Sequence, residues 1–138
     1  GWSAAAGALL SYAAHTGSEP HRTAAERALG VVQALGPRVP RFIGWGLAVA
    51  EAWLDGPREV AVVGPSLDDE ATRTLHRTAL LGTAPGAVVA VGAVDGDEFP
   101  LLEGRPLIDG GAAAYVCRNF TCDAPTTDPE RLRTALSS

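Results

Sequence analysis

The sequence predicts a mixed α/β protein, with a helical segment followed by a small three-layer βαβ-type domain. Three observations carry this. Residues 1–56 hold three stretches of helical periodicity, separated by Gly17 and by Gly36-Pro37. The pattern changes at Gly56-Pro57, where two runs of strand length, 59–63 (apolar after Glu59) and 87–91, flank one helical stretch. Strand, helix, strand in that order predicts a right-handed parallel unit, and hence a mainly parallel sheet. The expected division is a helical segment over 1–56 and an α/β domain over 57–138.

Taken in order, helix one is expected over residues 3–15. Ser3 is its cap, Gly17 its stop, and Ala5, Leu9 and Tyr12 share one face. Helix two is expected over 19–35, with Ser18 as cap and Pro20 in the first turn. Helix three is expected from residue 40 or 41 to 54. Its Phe42, Trp45, Val49 and Trp53 spread over more apolar surface than two alanine-rich partners can cover. The runs Val60 to Val63 and Val88 to Val91 do not alternate, which predicts burial on both faces. Between them a helix is expected over 66–81, capped by Ser66 or Asp68, with Leu67, Ala71, Leu75 and Thr78 inward. Residues 92–109 read as a long connection in which 99–102 dock on the core. A third strand over 113–116 follows. The last helix has Thr127 and Glu130 at capping-box spacing, Pro129 in its first turn, and Leu132, Ala135 and Leu136 as its apolar stripe.

Composition narrows the function classes. A net charge of −5 disfavours nucleic acid and anionic membranes as partners. No apolar run approaches the roughly 20 residues of a membrane span. Gly1-Trp2-Ser3 is neither a natural start nor part of a signal peptide, so the chain reads as a piece of a longer, cytoplasmic protein.

Both cysteines lie in one stretch, Cys117 and Cys122. In a single extended strand they would face opposite sides, and a turn through Asn119-Phe120 would bring them together. They read first as two small, buried, reduced residues, because the cytosol keeps thiols reduced and burial raises a thiol pKa. They read second as a redox pair, although four intervening residues is wider than the usual two. Arg118 could stabilise a thiolate, but strand alternation should turn it away from Cys117.

A zinc site would need ligands from His15, His21 or His76, which lack ligand spacing, so no metal is expected. Gly64-Pro65-Ser66 follows a strand and opens a helix, but three acidic residues in the next turn would repel a phosphate. Asp95, Asp97 and Glu98 make a solvated turn, or at most a weak calcium site. No cofactor is expected.

Tyr115-Val116-Cys117, Phe120, Cys122, Pro125 and Thr127-Asp128-Pro129 together resemble the C-terminal signature of a known family. It includes a spermatogenesis-associated thioredoxin-domain protein and bacterial relatives. Its members carry an N-terminal thioredoxin-like domain, an (α/α) toroid like that of six-hairpin glycosidases, and a small C-terminal α/β region. The resemblance implies that residues 1–56 are the last hairpins of the toroid and that Trp2 and Ser3 border its rim. It implies a structural or accessory role, with no complete active site in this piece. The expected partners are the thioredoxin-like domain and the rest of the toroid, and the exposed apolar face predicts self-association. Two other roles follow from the same resemblance. One is membership of a carbohydrate-processing enzyme of glycosidase or epimerase type. The other is a thiol-redox region in which Cys117 and Cys122 exchange with the thioredoxin-like domain.

Overall fold

The computed structural model describes residues 1–94, 99–119 and 121–137. The helical segment holds α1 (Trp2–Thr16), α2 (Glu19–Leu35), a single 3-10 turn (Pro40–Phe42) and α3 (Gly44–Asp55). Gly17 ends α1 in the left-handed conformation, and its N–H donates to Ala13 O at 2.7 Å. Two expected caps differ. Gly1 stands at the start of α1, two residues ahead of the expected Ser3. The Ser18 hydroxyl meets His21 Nδ1 at 2.6 Å rather than a backbone N–H of α2. Helix three starts later than its periodicity suggests. Around Pro40 the bonds run Phe42 N–H to Val39 O and Ile43 N–H to Pro40 O, and the α ladder begins with Leu47 N–H to Ile43 O.

The three helices close on small residues. Ala6, Leu10, Ala25, Ala28, Leu29, Val49 and Ala52 form their shared core. Gly46 is the tightest point, since a Cβ there would stand 2.4 Å from Val32 Cγ1 and 2.8 Å from Ser3 Oγ. Alanine-rich helices can approach this closely, but they bury little area per residue.

The α/β region holds β1 (Glu59–Gly64), α4 (Glu70–Leu80), β2 (Val88–Ala93), a 3-10 turn (Pro100–Leu102), β3 (Ala113–Arg118), β4 (Thr121–Cys122) and α5 (Pro129–Ala135). The sheet order is β2-β1-β3-β4. The β1/β2 pair is parallel across α4, as the βαβ pattern predicts. The sheet as a whole is mixed rather than mainly parallel, because β1/β3 and β3/β4 are both antiparallel. The described part of the link from β2 returns through the 3-10 turn with no crossover α-helix, and it delivers β3 on the far side of β1 in the opposite sense.

Burial follows strand position. β1 is central, and Val60 to Val63 are at most 2% exposed, so this run is buried on both faces as expected. β2 is an edge strand. Val88 and Ala90 are buried but Val89 and Val91 are only half-buried, so the expectation fails for that run. Three layers result. On one face, Val60, Val62, Ala114 and Val116 pack against Leu75, Ala79, Leu132 and Leu136 of the α4/α5 layer. On the other, Ala61, Val63, Val88, Ala90 and Ala113 pack under Leu101 and Leu102, with Ala14 of α1 at the margin. The docking of the 99–102 segment is borne out by Leu101 and Leu102, while Phe99 stays partly exposed.

Helix four is shorter than expected. Asp69 is its cap, accepting from Thr72 N–H and from Thr72 Oγ1, each at 2.9 Å. The inward face is therefore Thr72, Leu75 and Ala79, while Leu67 precedes the helix and is exposed. In α5 the cap is Asp128, which accepts from Glu130 N–H at 2.9 Å, in place of the expected Thr127. No helix among the described residues is long and apolar enough to cross a membrane.

Candidate thiol–disulfide site

The site grows from the β3/β4 hairpin. Arg118 pairs with Thr121, and Asn119 enters the turn at φ 50°, a left-handed conformation that asparagine tolerates. Asp123 N–H donates to Val116 O at 2.9 Å, which makes those two a hydrogen-bonded pair. Cys117 and Cys122 then occupy the adjoining, closely spaced position, with Cα atoms 3.9 Å apart. They are joined by a disulfide, and no free cysteine remains. This corrects the reading of both as reduced, buried thiols. A turn at Asn119 puts the two side chains on one face of a two-strand ladder. Burial differs as well, since Cys117 is 2% exposed whereas Cys122 lies in the exposed part of the hairpin.

The closed loop is short. On a chain-entropy account, so small a loop restrains the unfolded chain by only about 2 kcal/mol, against nearly 5 for a 100-residue loop.

The side chain that sequence reading missed is Arg105. Its Nε donates to Leu101 O at 2.7 Å, which anchors the guanidinium to the 3-10 turn. Nη2 then lies 3.3 Å from Cys117 Sγ, and Nη1 lies 3.9 Å from Cys122 Sγ. The guanidinium carbon stands 5.2 Å from the centre of the Tyr115 ring, and Tyr115 Oη donates to Pro106 O at 2.7 Å. Tyr115 and Cys117 share the face of β3 that the Pro100–Leu102 segment covers, so strand alternation and the 3-10 turn together aim Arg105 at the bridge. Arg118 points elsewhere, to Asp55 Oδ1 at 3.3 Å, as alternation predicts.

Glu59 stands opposite Cys117 in the β1/β3 register. Burial pushes its carboxyl above the usual glutamate range, while the charges of Arg105 and Arg22 pull it back. Burial likewise lowers Arg105, against Glu59 and Tyr115, yet a guanidinium stays charged. A raised carboxyl favours the protonated form in the fold. Its contribution to stability is therefore complete below the ordinary glutamate pKa and is lost as pH rises through the raised value. Glu59→Gln is expected to remove that loss, leaving the variant at least as stable as the parent at pH 7, with the difference closing at acidic pH. Urea unfolding of both proteins at pH 4 and pH 7 checks this. A variant clearly weaker at pH 7 would show that the arginine pairing outweighs the burial.

The other sequence-predicted residues lie apart from this cluster. Trp2 and Ser3 open α1 in the helical layer, with Trp2 exposed and Ser3 facing Gly46. His15 Nδ1 meets Ser11 O at 2.9 Å, and the His21 ring packs 4.5 Å from that of Tyr12. His76 is half-buried on α4. Asp95, Asp97, Glu98 and Phe120 lie outside the described residues. No family model matches the chain, and no curated protein or solved structure matches it either.

Proposed function

We propose that the chain is the C-terminal structural and accessory portion of a larger, cytoplasmic protein, built from a thioredoxin-like domain and a six-hairpin toroid. The observation that carries this is the exposed apolar surface on both sides of α3 in the helical layer. Phe42 is 84% exposed and Leu54 76%, with Leu47 exposed on the same α2 side of α3 as Leu54, while Trp45, 66% exposed, lies on the α1 side. Between α2 and α3 the Leu47 and Leu54 side sinks into a groove of about 500 Å³, lined by Leu29, Val32, Ile43, Leu47, Trp53 and Leu54. Each large side chain left in water forgoes roughly 1.5–3 kcal/mol of burial. A further layer of helices, of the kind a toroid supplies, would recover it.

Two measurements test the proposal. Translation of the gene upstream of Gly1 is expected to give more helical hairpins and, before them, a thioredoxin-like domain. A start codon directly ahead of Gly1 would overturn the reading. Sedimentation velocity on the isolated chain is expected to show association that grows with concentration, and Phe42→Glu/Trp45→Glu is expected to stay monomeric. A parent chain that is monomeric at every concentration would remove the argument from the exposed face. The reading as part of a carbohydrate-processing enzyme uses the same toroid, with Trp2 and Ser3 at its rim. Acidic residues at toroid loop positions upstream would favour it.

A further inference from the structure

The bridge is too short to restrain much of the unfolded chain, and the hairpin register already holds its two ends together. A cation with an anchored geometry touches both sulfurs. The same cation adds little to a neutral disulfide and much to a thiolate. Cys122 is an exposed residue, whereas Cys117 is buried. We propose that Cys117–Cys122 is a thiol–disulfide exchange centre that takes two electrons from a protein dithiol, with Arg105 stabilising the thiolate that leaves. The inference deepens the redox role that the resemblance implies for these two cysteines, and since it concerns only residues of this chain it can fail without touching the accessory role above.

The step follows from exposure. The partner's thiolate attacks Cys122 Sγ, on the exposed residue of the pair. The Cys117–Cys122 bond breaks, and its electron pair passes to Cys117 Sγ, 3.3 Å from Arg105 Nη2. Cys122 is now held in a mixed disulfide. The partner's second thiol loses its proton to water and attacks the partner's own sulfur in that bond, releasing Cys122 as a thiolate. Both thiolates of the chain take up protons. The chain has gained two electrons and two protons, and the partner dithiol has become a disulfide. Exchange is faster when the departing thiol has a low pKa, and a stabilised reduced form raises the potential of the couple. Arg105 serves both ends at the sulfur that leaves. Glu59, opposite Cys117 and drawn to the same arginine, balances that charge while the bridge is closed.

The test equilibrates the oxidised chain with a thioredoxin-type protein dithiol and with glutathione buffers, reading thiols by alkylation and mass. Reduction by the dithiol is expected for the parent. Arg105→Gln is expected to slow reduction about tenfold and to shift the equilibrium constant about tenfold toward the disulfide, a fall of about 30 mV in potential. Arg105→Lys, which keeps the charge, is expected to recover part of both. A packing role for Arg105 would alter the melting temperature without moving the potential. A second pair of variants does not depend on Arg105. Cys117→Ser is expected to trap a glutathione adduct on Cys122, while Cys122→Ser leaves Cys117 slow to react. Any of three outcomes would overturn the proposal: a bridge that stays closed against the dithiol, Gln and parent proteins with equal rates and potentials, or adducts on Cys117 in preference to Cys122.

Discussion

Leu132→Ala is expected to lower the unfolding free energy by about 2–5 kcal/mol. Leu132 is 0% exposed and projects from α5 into the core formed by Val60, Val62, Leu75, Ala114 and Val116. A seven-residue helix has no independent stability, so α5 holds its place through Leu132 and Leu136. Truncation removes the transfer free energy of the lost groups and leaves a cavity between α5 and the sheet that the packed layers close only in part. A second effect follows from the chain ends of this layer. Leu136 O accepts from both Thr83 N–H and Ala84 N–H at 2.9 Å, so a loosened α5 also releases the turn that leads from α4 to β2. Urea unfolding gives the global loss, and native-state hydrogen exchange is expected to show α5 and the amides of Thr83 and Ala84 opening first. A loss below 1 kcal/mol, or exchange unchanged at those amides, would mean that α5 is not part of the cooperative core. Against a typical total of about 5–15 kcal/mol, the expected loss is large.

The central strand was legible from sequence because residues 60–63 are apolar without alternation, and a strand buried on both faces demands that. The same pattern at residues 88–91 looked identical, yet β2 lies at the sheet edge and half-exposes Val89 and Val91. Hydrophobic pattern records affinity for a core and does not record how many neighbours a strand obtains. The reversal of β3 was not legible either. It depends on where the link from β2 lands, and that link carries no helical or strand period. Capping was legible in kind but not in position. Asp68, Asp69 and Glu70 all suit a helix start, and only Asp69 lies three residues before an N–H it can reach, that of Thr72. At the candidate site, Asn119 in the turn made a meeting of the two cysteines foreseeable. Arg105 was not foreseeable, because it reaches Cys117 from a loop, along a path set by Leu101 O and the Tyr115 ring.

Gly64→Ala is expected to cost about 3 kcal/mol, a large effect for one methyl group. Gly64 ends β1, where the strand passes beneath the first turn of α4. A Cβ there would lie 1.8 Å from Thr72 Oγ1, and 2.8 Å from both Thr72 Cβ and Thr72 Cγ2. Contact between such atoms normally begins beyond 3 Å, so rotating Thr72 exchanges one overlap for another. Thr72 is also 1% exposed, and its hydroxyl and N–H are both committed to Asp69. Turning it away would leave the cap of α4 half-satisfied, in a helix whose start depends on that one aspartate. The alternative is to lift α4 off the sheet, which loosens Leu75 and Ala79 from Val60 and Val62. Because the overlap is between two side chains, the losses should not add. Thr72→Ala alone forfeits the hydroxyl bond, and in the double variant the worst clash is gone while the 2.8 Å contact with the residue-72 Cβ remains. The double variant is therefore expected to be less destabilised than the sum of the two single changes by at least about 1 kcal/mol. Denaturant unfolding of the four proteins measures this coupling. Strict additivity, or a Gly64→Ala protein as stable as its parent, would show that strand and helix are not pressed together at this point.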